Sequence, residues 1–107
     1  MTGTPAPFAM SVERADAHAT VRVTGEIDME SSPALRSRLL ELARAGVRHV
    51  TLDMTDTVFI DSTGLHALAA AVTELKVTGG ELVLRSPSKS TSRLLQLTGF
   101  DTLVEVV

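Results

Sequence analysis

Hydrophobic and polar positions alternate at the start of the chain. Phe8, Met10 and Val12 are separated by small or polar residues, as are Val21 and Val23, with Ala15-Asp16-Ala17-His18 between the two runs. A period of two places such residues on one face of a strand, so this stretch predicts a β-hairpin with one buried face. Gly25-Glu26-Ile27-Asp28 closes the second strand. The period then changes. Leu35, Leu39 and Leu42 fall at helical spacing, with Ser32 as the expected N-cap, Pro33 at the first helical position and Gly46 just past the end. Val47 to Met54 is rich in β-branched residues and reads as a buried strand, and Val58-Phe59-Ile60 is a further short apolar run. A second helix follows, with Leu65, Leu68, Ala69, Val72 and Leu75 within one stripe. Gly79-Gly80 ends it. Glu81 to Arg85 reads as a strand. Pro87-Ser88 opens a short helix with Leu94, Leu95 and Leu97, closed by Gly99. Leu103 to Val107 is a last strand-like run.

The expected order is β-β-α-β-α-β-α-β. Strands separated by helices imply parallel neighbours joined by right-handed crossovers. The fold class is therefore α/β: one domain over residues 8–107, built on a mixed sheet of about five strands with helices mainly on one face. Residues 1–7, with two prolines and small side chains, offer nothing to bury and read as a flexible tail.

Composition narrows the function. A length of 107 residues supports one core. With 44% hydrophobic and 21% charged residues, the chain suits an ordinary globular domain rather than a disordered one. Ten Lys and Arg against 13 Asp and Glu give a net charge of −3. That is a poor basis for neutralising phosphates, so direct nucleic-acid binding is not expected. The absence of cysteine excludes disulfides, thiolate metal sites and thiol catalysis, and fits a reducing compartment. No basic start followed by an apolar run marks a signal peptide, and the longest apolar stretch, Ala67 to Val72, is too short to span a membrane. A cytoplasmic location without membrane attachment is the expectation.

Ser62 stands where the second apolar run meets the second helix. Its simplest role is an N-cap whose hydroxyl accepts an N–H from Gly64 or Leu65, an interaction of about 1 kcal/mol. A second role is compatible with the first. A serine at the positive end of a helix dipole is exposed, and a phosphate placed there meets local N–H donors and brings about −1.5 to −2 charge. Asp61 is adjacent, and Glu26, Asp28 and Glu30 lie on a loop expected near the same end of the sheet, where an Asx-turn at Asp28 is the plain alternative to a functional role. A new dianion among carboxylates would repel an acidic partner.

Nucleophilic catalysis fits poorly. The strained serine elbow of hydrolases needs Gly two residues before the Ser, and that position is Ile60. His18, His49 and His66 are expected as scattered surface or edge histidines, with neither triad nor metal spacing. No cofactor is implied. On the second helix, His66, Ala67, Ala70, Thr73 and Glu74 are expected to project away from the core. The small Ala67 and Ala70 would let a partner's backbone approach, although Ala is also simply the best helix former.

Three segments resemble a known family. Gly25-Glu26-Ile27-Asp28, Phe59-Ile60-Asp61-Ser62-Thr63-Gly64-Leu65 and Leu97-Thr98-Gly99-Phe100 are similar to the STAS domain of bacterial anti-sigma factor antagonists, and the resemblance runs from about Phe8 onward. Asp-Ser-Thr-Gly-Leu is its most specific part. The resemblance implies a non-enzymatic switch protein. In that family the unphosphorylated antagonist binds an anti-sigma factor that is also a serine kinase, which frees a sigma factor. The kinase uses ATP to modify the Ser after the Asp, matching Ser62, and a metal-dependent serine phosphatase reverses this. Glu26, Asp28, Asp61, Ser62, Thr63 and Gly64, with His66, Ala67 and Ala70, are then the implied partner-binding residues. Thr63 is a candidate second acceptor. The alternative is a STAS scaffold that docks a transporter or a signalling complex without phosphate control. His66 departs from the family, where Gly is common at that position. The chain stops at Val107, where many members continue into a C-terminal helix, so the resemblance implies surface that is either exposed or covered by a partner.

Overall fold

The structure, a computed structural model, describes residues 7–107. The expected tail at 1–7 lies outside these residues except for Pro7. β1 (Ala9–Ala15) and β2 (His18–Ile27) form the expected hairpin, antiparallel, with Met10 opposite Val23 and Val12 opposite Val21. α1 (Ser32–Arg44) leads to β3 (His49–Asp53), then β4 (Thr57–Ile60), α2 (Ser62–Val77), β5 (Glu81–Arg85), α3 (Lys89–Thr98), a 3-10 turn at Phe100–Thr102 and β6 (Glu105–Val106). The sheet has six strands rather than about five, in the order β1-β2-β3-β5-β6, with β4 pairing β2. All pairs after the hairpin are parallel.

The sheet register explains the one-sided core. Val21, Leu52 and Leu84 are in line across β2, β3 and β5, as are Ala19, Val50 and Leu82, and all six are buried. The intervening positions, among them Arg22, Asp53 and Arg85, form the opposite face. Helices cover only the apolar face, because each crossover from one parallel strand to the next returns on the same side. Asp53, almost fully buried, is held there by an ion pair with Arg22 at 3.2 Å and by hydrogen bonds from the Thr55 N–H and hydroxyl. These interactions, the Thr55 hydroxyl foremost, keep its carboxyl below the usual aspartate range despite the cost of burial.

The short run Val58-Phe59-Ile60 became a strand through an irregularity. Gly25 pairs with Thr57 but Glu26 pairs with Phe59, so Val58 is an extra residue in β4. A bulge of this kind breaks the period of two. It accounts for two consecutive exposed apolar residues, Val58 and Phe59, between the buried Thr57 and Ile60. The Thr57 hydroxyl donates to the Val23 carbonyl at 2.9 Å and satisfies its buried oxygen.

Two glycines fix the helix ends, one by close approach and one by its conformation. Gly80 sits where a Cβ would lie 2.4 Å from the Arg48 carbonyl oxygen, so the turn after α2 can join β5 to β3 only without a side chain there. Gly46 follows the end of α1 with φ +93°, the left-handed conformation expected at that position.

Candidate functional site

β2 and β4 end side by side. Ile27 pairs with Ile60, and the Asp61 N–H donates to the Ile27 carbonyl at 3.1 Å. The residues that follow the two strands, Asp28 and Asp61, are thereby brought to neighbouring positions at one end of the sheet. Each opens a loop that leads straight into a helix.

At the second of these, Asp61 is the N-cap of α2 in place of Ser62. Its backbone is extended (φ −107°, ψ −172°), and its Oδ1 accepts the N–H of Thr63 at 2.9 Å and of Gly64 at 3.1 Å. The Thr63 hydroxyl donates to the same oxygen. A carboxylate outcompetes a hydroxyl for these donors because its charge strengthens each bond. The same bonds, the Thr63 hydroxyl first among them, hold the Asp61 carboxyl below the usual aspartate range. Ser62 is displaced to the first helical position. It is exposed, and its hydroxyl makes no hydrogen bond with the described residues. The first-turn N–H groups expected to greet a phosphate are already held by Asp61.

A parallel correction applies to α1. Ser31, not Ser32, is the N-cap residue, and its side chain does not cap the helix. The Ser31 hydroxyl instead donates to the Glu26 carbonyl at 2.7 Å and accepts the Asp28 N–H at 2.9 Å. The Asx-turn at Asp28 is present: its Oδ1 accepts from Ser31 N–H at 3.1 Å and Glu30 N–H at 2.9 Å. These donors, Ser31 before Glu30, lower the Asp28 pKa, while the nearby Asp61 charge works the other way. Two ionised carboxylates therefore stand close enough to repel each other, beside an exposed serine hydroxyl.

Gly64 is buried underneath this site. A Cβ there would lie 2.5 Å from Ile60 Cγ1 and 2.8 Å from Ile27 Cγ2. The glycine lets the first turn of α2 rest directly on the paired strand ends, which sets the height of Asp61 and Ser62 over the sheet. Its place is in packing rather than on an accessible surface.

The other expected partner-facing residues divide. His66 is exposed near the start of α2. Glu26 is half-buried on β2, in register with Phe59. Ala67 was expected to face outward but is only 2% exposed, and Ala70 is half-buried. The reason is that α2 is covered on two sides, by the sheet and by α1, and Arg44 of α1 pairs with Glu74 of α2 at 3.1 Å. The histidines are also not all scattered. His18 and His49 stack with ring centroids 4.6 Å apart, and His49 Nδ1 lies 3.3 Å from Glu81 Oε2. This group sits at the start of β2, the opposite end from Ile27. Among the described residues, no set of three His, Asp or Glu is arranged to hold a metal ion.

Several residues at the site gave no distinct signal in the sequence. Met29, 74% exposed, projects from the loop between Asp28 and Glu30. Phe59, 45% exposed, lines a shallow depression of about 290 Å³ with Asp61, Ser62, Ser90 and Leu94. Phe59 read only as part of a short apolar run, because the bulge is invisible in its residue types. Ser90 and Leu94 come from α3, far along the chain. Two adjacent apolar residues outside a period of two were the available hint for Val58 and Phe59.

Fold and site define a one-sided α/β domain that presents a serine at an acidic helix terminus. A STAS domain profile matches residues 9–107. The chain belongs to the STAS domain family. It is 34% identical over 86 residues to an anti-sigma-B factor antagonist of Bacillus subtilis (strain 168), a match spanning 80% of this chain and 78% of that one. A crystal structure of an anti-sigma factor antagonist from Mycobacterium paratuberculosis is 33% identical and superposes with a TM-score of 0.78, covering 94% of this chain and 85% of the other. The phosphorylated form of the Bacillus cell fate determinant SpoIIAA, 20% identical, shares the fold with a TM-score of 0.76 over 92% of this chain and 91% of its own.

Proposed function

We propose that this chain is an anti-sigma factor antagonist switched by phosphorylation of Ser62. With a bare hydroxyl it binds an anti-sigma factor that is also a serine kinase, and a sigma factor is released. ATP-dependent transfer of a phosphoryl group to Ser62 ends the complex, and a serine phosphatase restores the binding form. The names of its relatives support the antagonist role. The protein acts by binding, and the chemistry belongs to its partners.

The observation that carries the choice of Ser62 is its setting. The hydroxyl is exposed and makes no hydrogen bond among the described residues at the start of α2, while Asp61 and Asp28 beside it are held ionised by their own loop N–H groups. A kinase can reach the hydroxyl. The product adds about −1.5 to −2 charge at a terminus whose donors are already engaged, so repulsion outweighs any new helix contact. Met29 and Phe59 supply apolar surface on either side for a partner to cover.

The test is to incubate the protein with its cognate anti-sigma factor kinase and ATP and to map phosphate by mass spectrometry. Phosphate on Ser62, absent from Ser62→Ala, is expected. Equal modification of wild type and Ser62→Ala would rule the assignment out.

A further inference from the structure

Ser62 opens α2, and His66 follows it four residues on. In an α-helix this spacing puts two side chains on one face, with Cβ atoms about 5–6 Å apart. Both residues are exposed. The other two histidines are engaged at the far end of the sheet, His18 stacked on His49 and His49 beside Glu81. His66 makes no hydrogen bond or ion pair among the described residues. The other titratable groups on α2, Glu74 and Lys76, lie more than three turns beyond Ser62.

A phosphate on Ser62 would find the nearby backbone donors taken. The N–H groups of Thr63 and Gly64 bond to Asp61 Oδ1, and that of Leu65 to the Asp61 carbonyl. The Thr63 hydroxyl is also spent on Asp61. His66 is then the one side chain on the same helix that can bring a proton and a positive charge to the phosphate. An anion one turn before its cation is the favoured order along a helix.

We propose that His66 is the counter-ion of a phosphate on Ser62, its protonated imidazole donating a hydrogen bond to a phosphoryl oxygen one turn back. This rests on the reading of Ser62 as the phosphoacceptor and adds a residue to it. The contact makes the charge of the modified site depend on pH. A phosphate monoester loses its second proton near ~6, and a free imidazole its proton near ~6.5. The pair is complete only where the phosphate is dianionic and the imidazole protonated. It is therefore lost as pH rises above the imidazole's titration, and the bare dianion then repels a partner most strongly. Other charges around the pair act on it in both directions. Asp28 and Asp61 at the strand ends favour the protonated imidazole. Arg36 of α1, across a groove from His66, and Lys89 and Arg93 of α3, beside the depression that Ser62 lines, oppose it.

The experiment uses the full chain with phosphoserine built in at position 62 during synthesis, without a kinase. Phosphorus NMR follows the phosphate and imidazole NMR follows the three histidines from about pH 5 to 8.5, a window that brackets both titrations. The phosphate is expected to titrate about 0.3–0.7 pH units lower with His66 than in His66→Gln. Gln is a good helix former and carries no charge. The His66 imidazole is expected to titrate at higher pH in the phosphorylated chain than in the unmodified one, while His18 and His49 do not move. His66→Lys should restore the low phosphate titration. The same phosphate titration with His66 and in His66→Gln, or a His66 titration that ignores the phosphate, would overturn the contact. Because no kinase is involved, failure of this contact is read separately from failure of Ser62 as the kinase's acceptor.

Discussion

The Asp61 carboxylate accepts both the backbone N–H and the hydroxyl of Thr63, so one oxygen fixes the first turn of α2 and occupies the hydroxyl next to Ser62. This separates two residues that look equivalent as acceptors. Ser62 is exposed with a free hydroxyl, while Thr63 is half-buried and its proton is spent on Asp61. Peptide mapping after treatment with the kinase is expected to find phosphate on Ser62 and none on Thr63. Thr63→Ala should leave the extent of Ser62 modification within about twofold of wild type, given the modest cost of one local hydrogen bond.

Removing the cap should weaken the fold. Asp61→Ala leaves the N–H groups of Thr63 and Gly64 without their acceptor. A loss of about 1–2 kcal/mol is expected from urea denaturation. Asp61→Asn retains an acceptor oxygen at a favoured cap position and should recover most of that loss.

Gly64→Ala tests the seating of α2. The added methyl would meet Ile60 and Ile27 at 2.5 and 2.8 Å, and both are buried side chains at paired strand ends. A destabilisation of about 1–3 kcal/mol is expected, as for overpacking elsewhere. Ala at the same position in an unpacked helix would be favourable, so a stabilised variant would show that the turn does not rest on these isoleucines.

Acid should destabilise the protein through three aspartates. Asp28, Asp53 and Asp61 all have folded-state pKa values below the ordinary one. A depressed carboxylate stabilises the fold fully above its unfolded pKa, near ~3.9, and loses that contribution as pH falls through the folded value. Stability measured by denaturant titration should therefore be flat in this respect above about pH 5 and fall below about pH 4. Asp53→Asn should make the acid limb shallower, because its buried carboxylate holds Arg22 and Thr55.

The parts of the fold that obey one local rule were legible in the sequence. The hairpin, the α1 stripe of Leu35, Leu39 and Leu42, and the one-faced sheet follow from periodicity alone. The errors arose where two local rules competed. Ser62 and Ser32 are both good caps, but at α2 a charged neighbour captured the donors, and at α1 Ser31 took the cap position while its hydroxyl was spent on the preceding loop. Ala67 looked exposed because one apolar stripe was assigned to α2, while α1 covers a second side that only tertiary packing defines. The Asp-Ser-Thr-Gly motif located the candidate site, yet its apolar surroundings, Phe59 from a bulge and Leu94 from α3, come together only in the folded chain.

The central claim is that charge on Ser62 switches partner binding off. The direct measurement is the affinity of the cognate anti-sigma factor kinase for the unmodified and the Ser62-phosphorylated protein, by calorimetry at fixed ionic strength. The account predicts tight binding of the unmodified form and at least about tenfold weaker binding of the phosphorylated one, since a partner that covers Ser62 would have to desolvate the added dianion beside two carboxylates. Equal affinity of the two forms would contradict it and favour a scaffold that docks its partner irrespective of phosphate.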